Sequence, residues 1–407
     1  MSNHIFKRAC LGAALATGSL ACSLAWAGEP ASPLTVGGAV RFNYIYKSWQ
    51  DDYKSGFFGL DTVRLDVGYD DGFRIASAQY RYNNFPKGQG GYREHFLHHA
   101  WAGLRFDDKS EVHLGVDKVP FGLLPFASNN FYQSIAFYTG FEDKYDAGIT
   151  YASRPGALEW RLAYFPRDGG YYGGSDNTAP AANRYSYNIV KDDDEHGYGT
   201  GQDDSERNTL VARLAWHPEA RSGWPFDEQE LGVSLLRGDI RNHAGRDTPR
   251  RAAAVHYRGK AGPVTLMLQA LRYNYRTSHE PTQTYGGLDA NTFVIVGGFG
   301  YPYPVATKGD IHIANLSYDI PGKLGPFGDF KVYNDYSVLH KRVGGYKRSV
   351  QNVTGLSFSS GKWVFYADFM LGKHHPYVSP DYGGLASADG KYDGYARRVN
   401  LQAGYYF

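Results

Sequence analysis

Side-chain character switches at nearly every residue along most of this chain, and that period of two constrains the fold more than any other feature. Strict apolar/polar alternation marks an extended strand with two unlike faces. In Val63-Arg64-Leu65-Asp66-Val67-Gly68-Tyr69 the apolar residues share one face, and Arg64, Asp66 and Gly68 share the other. Val40 to Lys47 repeats the pattern. So does Val399 to Phe407, where Val399, Leu401, Ala403, Tyr405 and Phe407 oppose Arg398, Asn400, Gln402 and Gly404. Sixteen such segments are expected, centred near residues 43, 65, 78, 101, 114, 148, 161, 212, 234, 255, 268, 314, 334, 354, 367 and 402.

Strands with two unlike faces suit either a soluble sandwich or a cylinder standing in lipid. Here the apolar faces end in Tyr69, Tyr82, Phe106, Tyr151, Tyr164, Trp216 and Tyr257, as interfacial aromatic girdles do. The opposite faces mix single Arg, Asp and His residues with Gly and Ser, as a wet lumen does. The fold expected is therefore all-β: a transmembrane antiparallel β-barrel of 16 strands. An even count closes the ring with both termini on one side. Closure matters because an open edge in hydrocarbon leaves backbone donors and acceptors unsatisfied.

The links are expected to alternate in length in every round. They are short after strands 2, 4, 6, 10 and 14, and moderately longer at His217 to Glu228 and Pro321 to Gly328. They are long at about residues 83–95, 119–144, 166–205, 275–309 and 374–394. Short periplasmic turns facing long outer loops is the outer-membrane pattern. The stretch 166–205 has linker-like composition, but a strand resumes after it, so it reads as a solvated outer loop. Its run Asp192-Asp193-Asp194-Glu195 and the following Gly201-Gln202-Asp203-Asp204 read as solvated charge rather than a divalent-cation site.

Lys7 and Arg8, the small apolar stretch Ala9 to Ala25, and Ala25-Trp26-Ala27 form a secretory signal peptide pattern over residues 1–27, leaving 28–407 as the barrel domain. The apolar run is too short, and too broken by Gly12 and Gly18, for a membrane anchor. Ser19 stands where a lipoprotein signal at Cys22 wants Leu. Cys10 and Cys22 both lie in this segment, so the exported chain is expected to hold no thiol. Removing Lys7 and Arg8 from 43 Lys+Arg brings the basic residues level with 41 Asp+Glu, without the basic excess of a nucleic-acid binder. A content of 34 Tyr, 23 Phe and 7 Trp excludes a disordered chain. No mature stretch approaches the ~20 apolar residues of a membrane helix.

Phe407, with Tyr405, Ala403 and Leu401 on its face, resembles the C-terminal strand signature by which bacterial outer-membrane proteins are recognised for insertion. Phe407 and Tyr405 are thus the expected assembly signal, and barrel-insertion machinery an expected partner. The link after the fifth strand begins Lys118-Val119-Pro120-Phe121-Gly122. It runs through Leu124-Pro125-Phe126-Ala127-Ser128-Asn129-Asn130 to Glu142-Asp143-Lys144-Tyr145-Asp146. Together with Asn334-Asp335-Tyr336-Ser337, this resembles the bacterial porins of the phosphate-selective O and P type, loosely over the whole mature chain. The resemblance implies a sixteen-stranded porin, usually trimeric, whose third outer loop folds into the lumen as the constriction. Here that loop is 119–144.

The sequence departs from that family where substrate is chosen. Only Lys118 and Lys144 are basic in the link, and Lys144 stands beside Glu142, Asp143 and Asp146, so phosphate selectivity is not carried over. The link instead offers Phe121, Phe126, Phe131, Tyr132, Phe137, Tyr138 and Phe141. These either anchor the loop to the inner wall or form a stacking surface for sugars or aromatic acids.

Alternation turns Arg41, Lys47, Arg64, Arg81, Arg105, Arg161, Arg213, Arg258, Lys331 and Arg398 inward, against Asp66, Glu111, Asp117, Asp146, Glu159, Asp335 and Asp368. The slight basic excess favours anions, unless the arginines pair with wall acids for rigidity. The arginines of this set, with Lys118, Phe126, Asn129, Asn130, Tyr132, Glu142, Asp143 and Lys144 of the link, are the expected pore-lining and constriction residues.

No catalytic, metal or cofactor site is expected. His98 and His99 should point to opposite faces of their strand, His374-His375 lies in a link without a nearby acid, and Asp193 to His196 is a solvated run. Ser317 and Ser337 have no assignable His partner. The first strand starts too close to residue 28 for a globular plug. The function expected is a passive, water-filled outer-membrane channel for small polar solutes, at most weakly anion-preferring and surrounded by outer-membrane lipid. A substrate-specific channel for sugars or aromatic acids and a non-conducting surface barrel are the alternatives.

Overall fold

The computed structural model describes residues 32–84, 93–170, 181, 183–192, 200–219, 225–242, 245–280, 284–285, 288–380, 384–386 and 392–407. The expected signal peptide and the run Asp193 to His196 lie outside them. Sixteen strands close one antiparallel barrel. In order these are β1 Leu34–Lys47, β2 Phe57–Asp70, β3 Arg74–Asn84, β4 Arg93–Arg105, β5 Ser110–Lys118, β6 Tyr145–Ser153, β7 Leu158–Arg167 and β8 Ser205–Trp216. Then follow β9 Glu228–Arg241, β10 Asp247–Ala261, β11 Val264–Tyr275, β12 Lys308–Ile320, β13 Gly328–Lys341, β14 Ser349–Ser360, β15 Trp363–Lys373 and β16 Ala396–Tyr406. Every expected strand centre falls inside one of them.

Each strand pairs with its neighbours in sequence, and β16 returns to β1 with Ala39 opposite Tyr406 and Lys47 opposite Arg398. Phe407 extends that seam, exchanging backbone hydrogen bonds with Gly38 at 3.0 and 3.1 Å. Alternation sets the two faces of the wall. On β8, Leu210, Ala212, Leu214 and Trp216 are exposed while Val211, Arg213 and Ala215 are buried. The exposed Leu65, Leu114, Leu162, Leu235 and Leu401 continue an apolar belt around the outside. Such a belt is stable where lipid covers it.

Two local expectations fail. The links do not alternate strictly in length: 242–246 is shorter than 217–227 on the opposite rim, and 342–348 is no longer than 321–327. More consequentially, bulges break the parity of several strands. Asp61 is an extra residue between the pairs Arg41–Thr62 and Phe42–Leu60. His98 is another, between Gln79–His99 and Tyr80–Leu97. At Asn208 the backbone turns to φ 49°, so that Glu206 and Thr209, three residues apart, are both buried. A bulge reassigns faces beyond it.

The buried face of β8 to β13 is largely apolar: Val211, Leu236, Ala254, Leu271, Ile313 and Leu339 belong to one cluster. Packed against it are residues of the 119–144 link and a hairpin of two strands, Phe293–Gly298 and Tyr301–Ala306. The short strand Asn188–Ile189 adds to the hairpin edge, with Ile189 opposite Val296.

Candidate functional site

The 119–144 link leaves β5 at Lys118 and is fastened to the wall strand by strand. Gly122 N–H donates to Ser234 Oγ of β9 at 3.0 Å, and Leu123 N–H to Gln269 Oε1 of β11 at 2.7 Å. The Gly122 carbonyl accepts from Arg213 Nε of β8 at 2.8 Å. Gly122 has φ +71°, and an added Cβ would lie 2.3 Å from Gln269 Oε1, so only glycine allows the approach. The carbonyls of Leu124 and Ala127 accept from Arg258 of β10 and Asn315 of β12.

Asp335 of β13 then holds the middle of the link. Its carboxylate accepts from Asn129 N and Nδ2 at 2.7 Å each, and from Asn130 N and Nδ2 at 2.9 and 2.7 Å. Gln133 O accepts from Gln351 of β14 at 2.6 Å, and Ile135 N–H donates to Ser337 of β13 at 3.1 Å. Tyr132 Oη donates to Asn400 of β16 at 2.8 Å, and Phe131 N–H reaches Asp368 of β15 at 3.4 Å. The link is thus hydrogen-bonded to every strand from β8 to β16.

Two carboxylates tie the link to itself. Glu142 accepts from Ala127 N–H and Ser128 Oγ at 2.9 Å each, and from Ser134. Burial pushes its carboxyl above the ordinary carboxylic range against the pull of those bonds. For Asp143 burial works in the same direction, but Lys118 Nζ at 2.6 Å wins and holds that carboxyl below its ordinary value. Tyr185 and Gln133 also donate to Asp143. Lys144 faces away into the wall, paired with Glu206 at 2.5 Å, which also takes Arg250 at 2.7 Å.

The link's aromatic rings divide into two groups. Phe121, Phe137, Tyr138 and Phe141 are buried in the apolar cluster of the wall. Phe126, Phe131 and Tyr132 are only partly buried and each lies under a cation: Lys118 over Phe126 at 4.6 Å, Arg41 over Phe131 at 5.6 Å and Arg398 over Tyr132 at 4.1 Å. Arg41 and Arg64 share the ring of Tyr406 at 5.6 and 5.4 Å, and Arg41 and Arg81 lie within electrostatic range of Arg64. Four carboxylates stand among these cations: Asp66 pairs with Arg64 and Asp143 with Lys118 at 2.6 Å each, Asp61 is within range of Arg41, Arg81 and Arg398, and Asp368 is within range of Arg398.

The expected residues therefore fall into separate neighbourhoods. Arg41, Arg64, Arg81, Lys118 and Arg398 gather with Phe126, Phe131 and Tyr132. Arg105, Arg161, Arg213 and Arg258 sit elsewhere on the wall. Arg105 pairs with Asp70 at 2.9 Å, Arg161 and Arg213 with Glu159 at 3.0 and 2.8 Å, and Arg258 with Glu230 at 3.8 Å. Asn129, Asn130 and Glu142 hold the link in place.

Alternation alone missed Asp61 and Glu206, because bulges turn them inward; the parity of Ser234 places Glu230 inward. Two histidine expectations are corrected. The bulge at His98 brings both rings to one side, with His98 Nδ1 and His99 Nδ1 2.9 Å apart and Ser77 Oγ 2.8 Å from His99. His374 has an acid nearby after all, Asp393 at 3.2 Å. Among the described residues no cluster of three or more His, Cys, Asp or Glu is arranged to hold a metal ion.

No protein-family model matches the chain, and no curated protein matches it in sequence. Solved structures match in shape. An anion-selective porin from Comamonas acidovorans superposes with a TM-score of 0.54 at 13% identity, covering 92% of this chain and 99% of its own. The trimer form of OmpT, an outer membrane protein of Vibrio cholerae, gives 0.54 at 12% identity over 92% and 99%. The outer membrane channel DcaP of Acinetobacter baumannii gives 0.53 at 12% identity over 92% and 97%. At these identities the likeness is one of fold: a closed sixteen-stranded barrel of the architecture that outer-membrane porins share.

Proposed function

We propose that this chain is a passive outer-membrane porin whose constriction lies between the 119–144 link and the basic groups of β1 to β3. The chain spans the outer membrane as a multi-pass β-barrel, with residues 1–27 removed on export and 28–407 forming the barrel. The link crosses the lumen, and small polar solutes pass beside it down their own gradient. The observation that carries this reading is the one-sided fastening of the link. Its buried rings and backbone are fixed to the wall, while Phe126, Phe131 and Tyr132 turn toward Arg41, Arg64, Arg81, Lys118 and Arg398. Because five basic groups stand there against Asp61, Asp66, Asp143 and Asp368, the channel is at most weakly anion-preferring. Phosphate selectivity is not part of the proposal, since Lys118 and Lys144 are each engaged by a carboxylate.

A salt gradient across a planar bilayer tests both halves. The expected record is discrete conductance steps with a reversal potential on the anion side. Cation preference overturns the selectivity, and the absence of steps in correctly folded protein favours a non-conducting surface barrel. Arginines stacked on Phe131 and Tyr132 support a narrower reading, a channel for aromatic acids, in which an aromatic carboxylate blocks the current at concentrations where a neutral sugar does not.

The barrel assembles as a homotrimer in this reading, as the Vibrio cholerae neighbour does in its trimer form. Polar groups on the outer wall of β12 to β14 suit a contact between copies rather than lipid. His312 and His340 meet at 5.6 Å, and Asn334 Nδ2 donates to Thr354 at 2.8 Å. Phe407 and Tyr405 serve as the signal for the insertion machinery.

A further inference from the structure

The outer wall carries a second anomaly, on the side of the barrel next to that polar patch. Arg237 of β9 and Arg251 of β10 stand directly opposite one another in register, and both are exposed. Among the described residues neither guanidinium has a hydrogen bond or an ion pair. Like charges directly opposite on a sheet repel, and an arginine on a lipid-facing wall is costlier the deeper it lies. The neighbouring charges are already matched: Arg272 with Asp310 at 2.7 Å, and Arg241 with Asp247 at 2.7 Å. Asp239 accepts from Asn208 at 3.2 Å. Among the described residues Asp239, two residues from Arg237 on the same face, is the one carboxylate beside the pair that no cation engages, and it leaves one positive charge in excess.

Arg237 and Arg251 lie close to the 242–246 link, on the rim opposite the chain termini. They border a groove of ≈ 840 Å³ in the outer wall. Ala212 and Ala253 make its floor shallow-chained, and Leu162, Leu210 and Leu235 make its sides apolar. A hollow this greasy, headed by two guanidinium groups against a single carboxylate, matches a molecule with an anionic head and hydrocarbon tails.

We propose that this groove is a binding site for an anionic, phosphate-bearing lipid of the surrounding leaflet, its phosphate held between Arg237 and Arg251 and its acyl chains lying over Ala212 and Ala253. The site rests on the bilayer placement proposed above. Guanidinium groups bind phosphate oxygens in a fork geometry, and one phosphate between two arginines converts their repulsion into two charge-assisted contacts.

Native mass spectrometry of the full-length barrel in non-ionic detergent, given phosphatidylglycerol or phosphatidylcholine with identical chains, tests this. The intact protein should retain phosphatidylglycerol at least about tenfold more strongly, because the choline cation of phosphatidylcholine neutralises the headgroup and is repelled by the two guanidinium groups. Arg237→Gln with Arg251→Gln should abolish that preference. Ala253→Trp, which keeps both charges but fills the groove, should weaken retention of both lipids. Equal retention of the two lipids, or retained preference in the double variant, overturns the site. So does displacement of the lipid by inorganic phosphate alone, or loss of oligomeric mass in the double variant without a change in lipid, which would make the arc a seam between copies. Conductance steps of the double variant should match the unaltered protein. If lipid preference fails while steps persist, only the lipid site falls; if steps are absent while lipid preference stands, only the channel falls.

Discussion

On β8 to β13 the buried face of the wall is largely aliphatic and aromatic, its Arg213 and Arg250 matched by Glu159, Glu230 and Glu206, and the link lies bonded along it. On β16 and β1 to β3 the buried face is arginine, asparagine and glutamine, and the link meets it mainly through rings beneath cations. Both arcs come from the same alternation of side chains. The difference lies in what each inward position can satisfy. An aliphatic wall gains by excluding water and accepts the backbone of the link where Arg213, Ser234, Arg258, Gln269, Asn315, Asp335 or Ser337 supplies a polar partner. Desolvating several like charges is costly, and the buried Arg41, Arg64 and Arg398 offset that cost through Asp66 and the rings of Phe131, Tyr132 and Tyr406. One arc therefore holds the backbone of the link, and the other meets its rings through Arg41 and Arg398, which are themselves buried.

The strongest way to break this contrast is Asp335→Ala. It leaves four donors of Asn129 and Asn130 without their acceptor, a loss on the order of 3 kcal/mol or more. A lower melting temperature and larger conductance steps are expected; unchanged steps would mean that the link does not set the constriction. Gly122→Ala strikes the same arc more gently. A positive φ together with the contact to Gln269 predicts a cost of about 1–3 kcal/mol, read as thermal destabilisation. Its effect should combine non-additively with Asp335→Ala, because both act on one link.

Arg41→Gln with Arg64→Gln sharpens the other arc. Stability should change little, while the reversal potential moves toward the cation side by a few-fold change in permeability ratio. An unchanged potential would place selectivity elsewhere. The smallest effect is in acid. Because the folded carboxyl of Asp143 is held below its ordinary 3.8, its contribution is fully present above that value and disappears as pH falls through the depressed one. Conductance should be steady from neutrality to about pH 4 and become noisier below it, and Asp143→Asn should remove that acid transition.

Much of this architecture was legible in the sequence because a barrel wall repeats one rule: Val63 to Tyr69 announces its faces without reference to any other strand. The rule fails where one residue is inserted. Asp61 and His98 look outward by counting, yet the bulges turn them in, and nothing local distinguishes them from ordinary strand residues. The rings of the link were legible as a group but not individually. Phe121 and Phe126 are alike in sequence; only the route of the backbone past Gln269 and Arg258 buries one and leaves the other near Lys118. The outward Arg237–Arg251 pair was hidden for a related reason, since cross-strand register is set by the whole ring and not by either strand.

The spread of the link's attachments over β8 to β16 also has a mechanical consequence. Sliding one strand past its neighbour by two residues keeps every side chain on its proper face, so alternation alone does not forbid it. Such a slip would carry an attachment point about 6.7 Å along the wall, out of reach of the donor or acceptor it serves. The link thereby acts as a key across the staves, fixing the stagger of the cylinder.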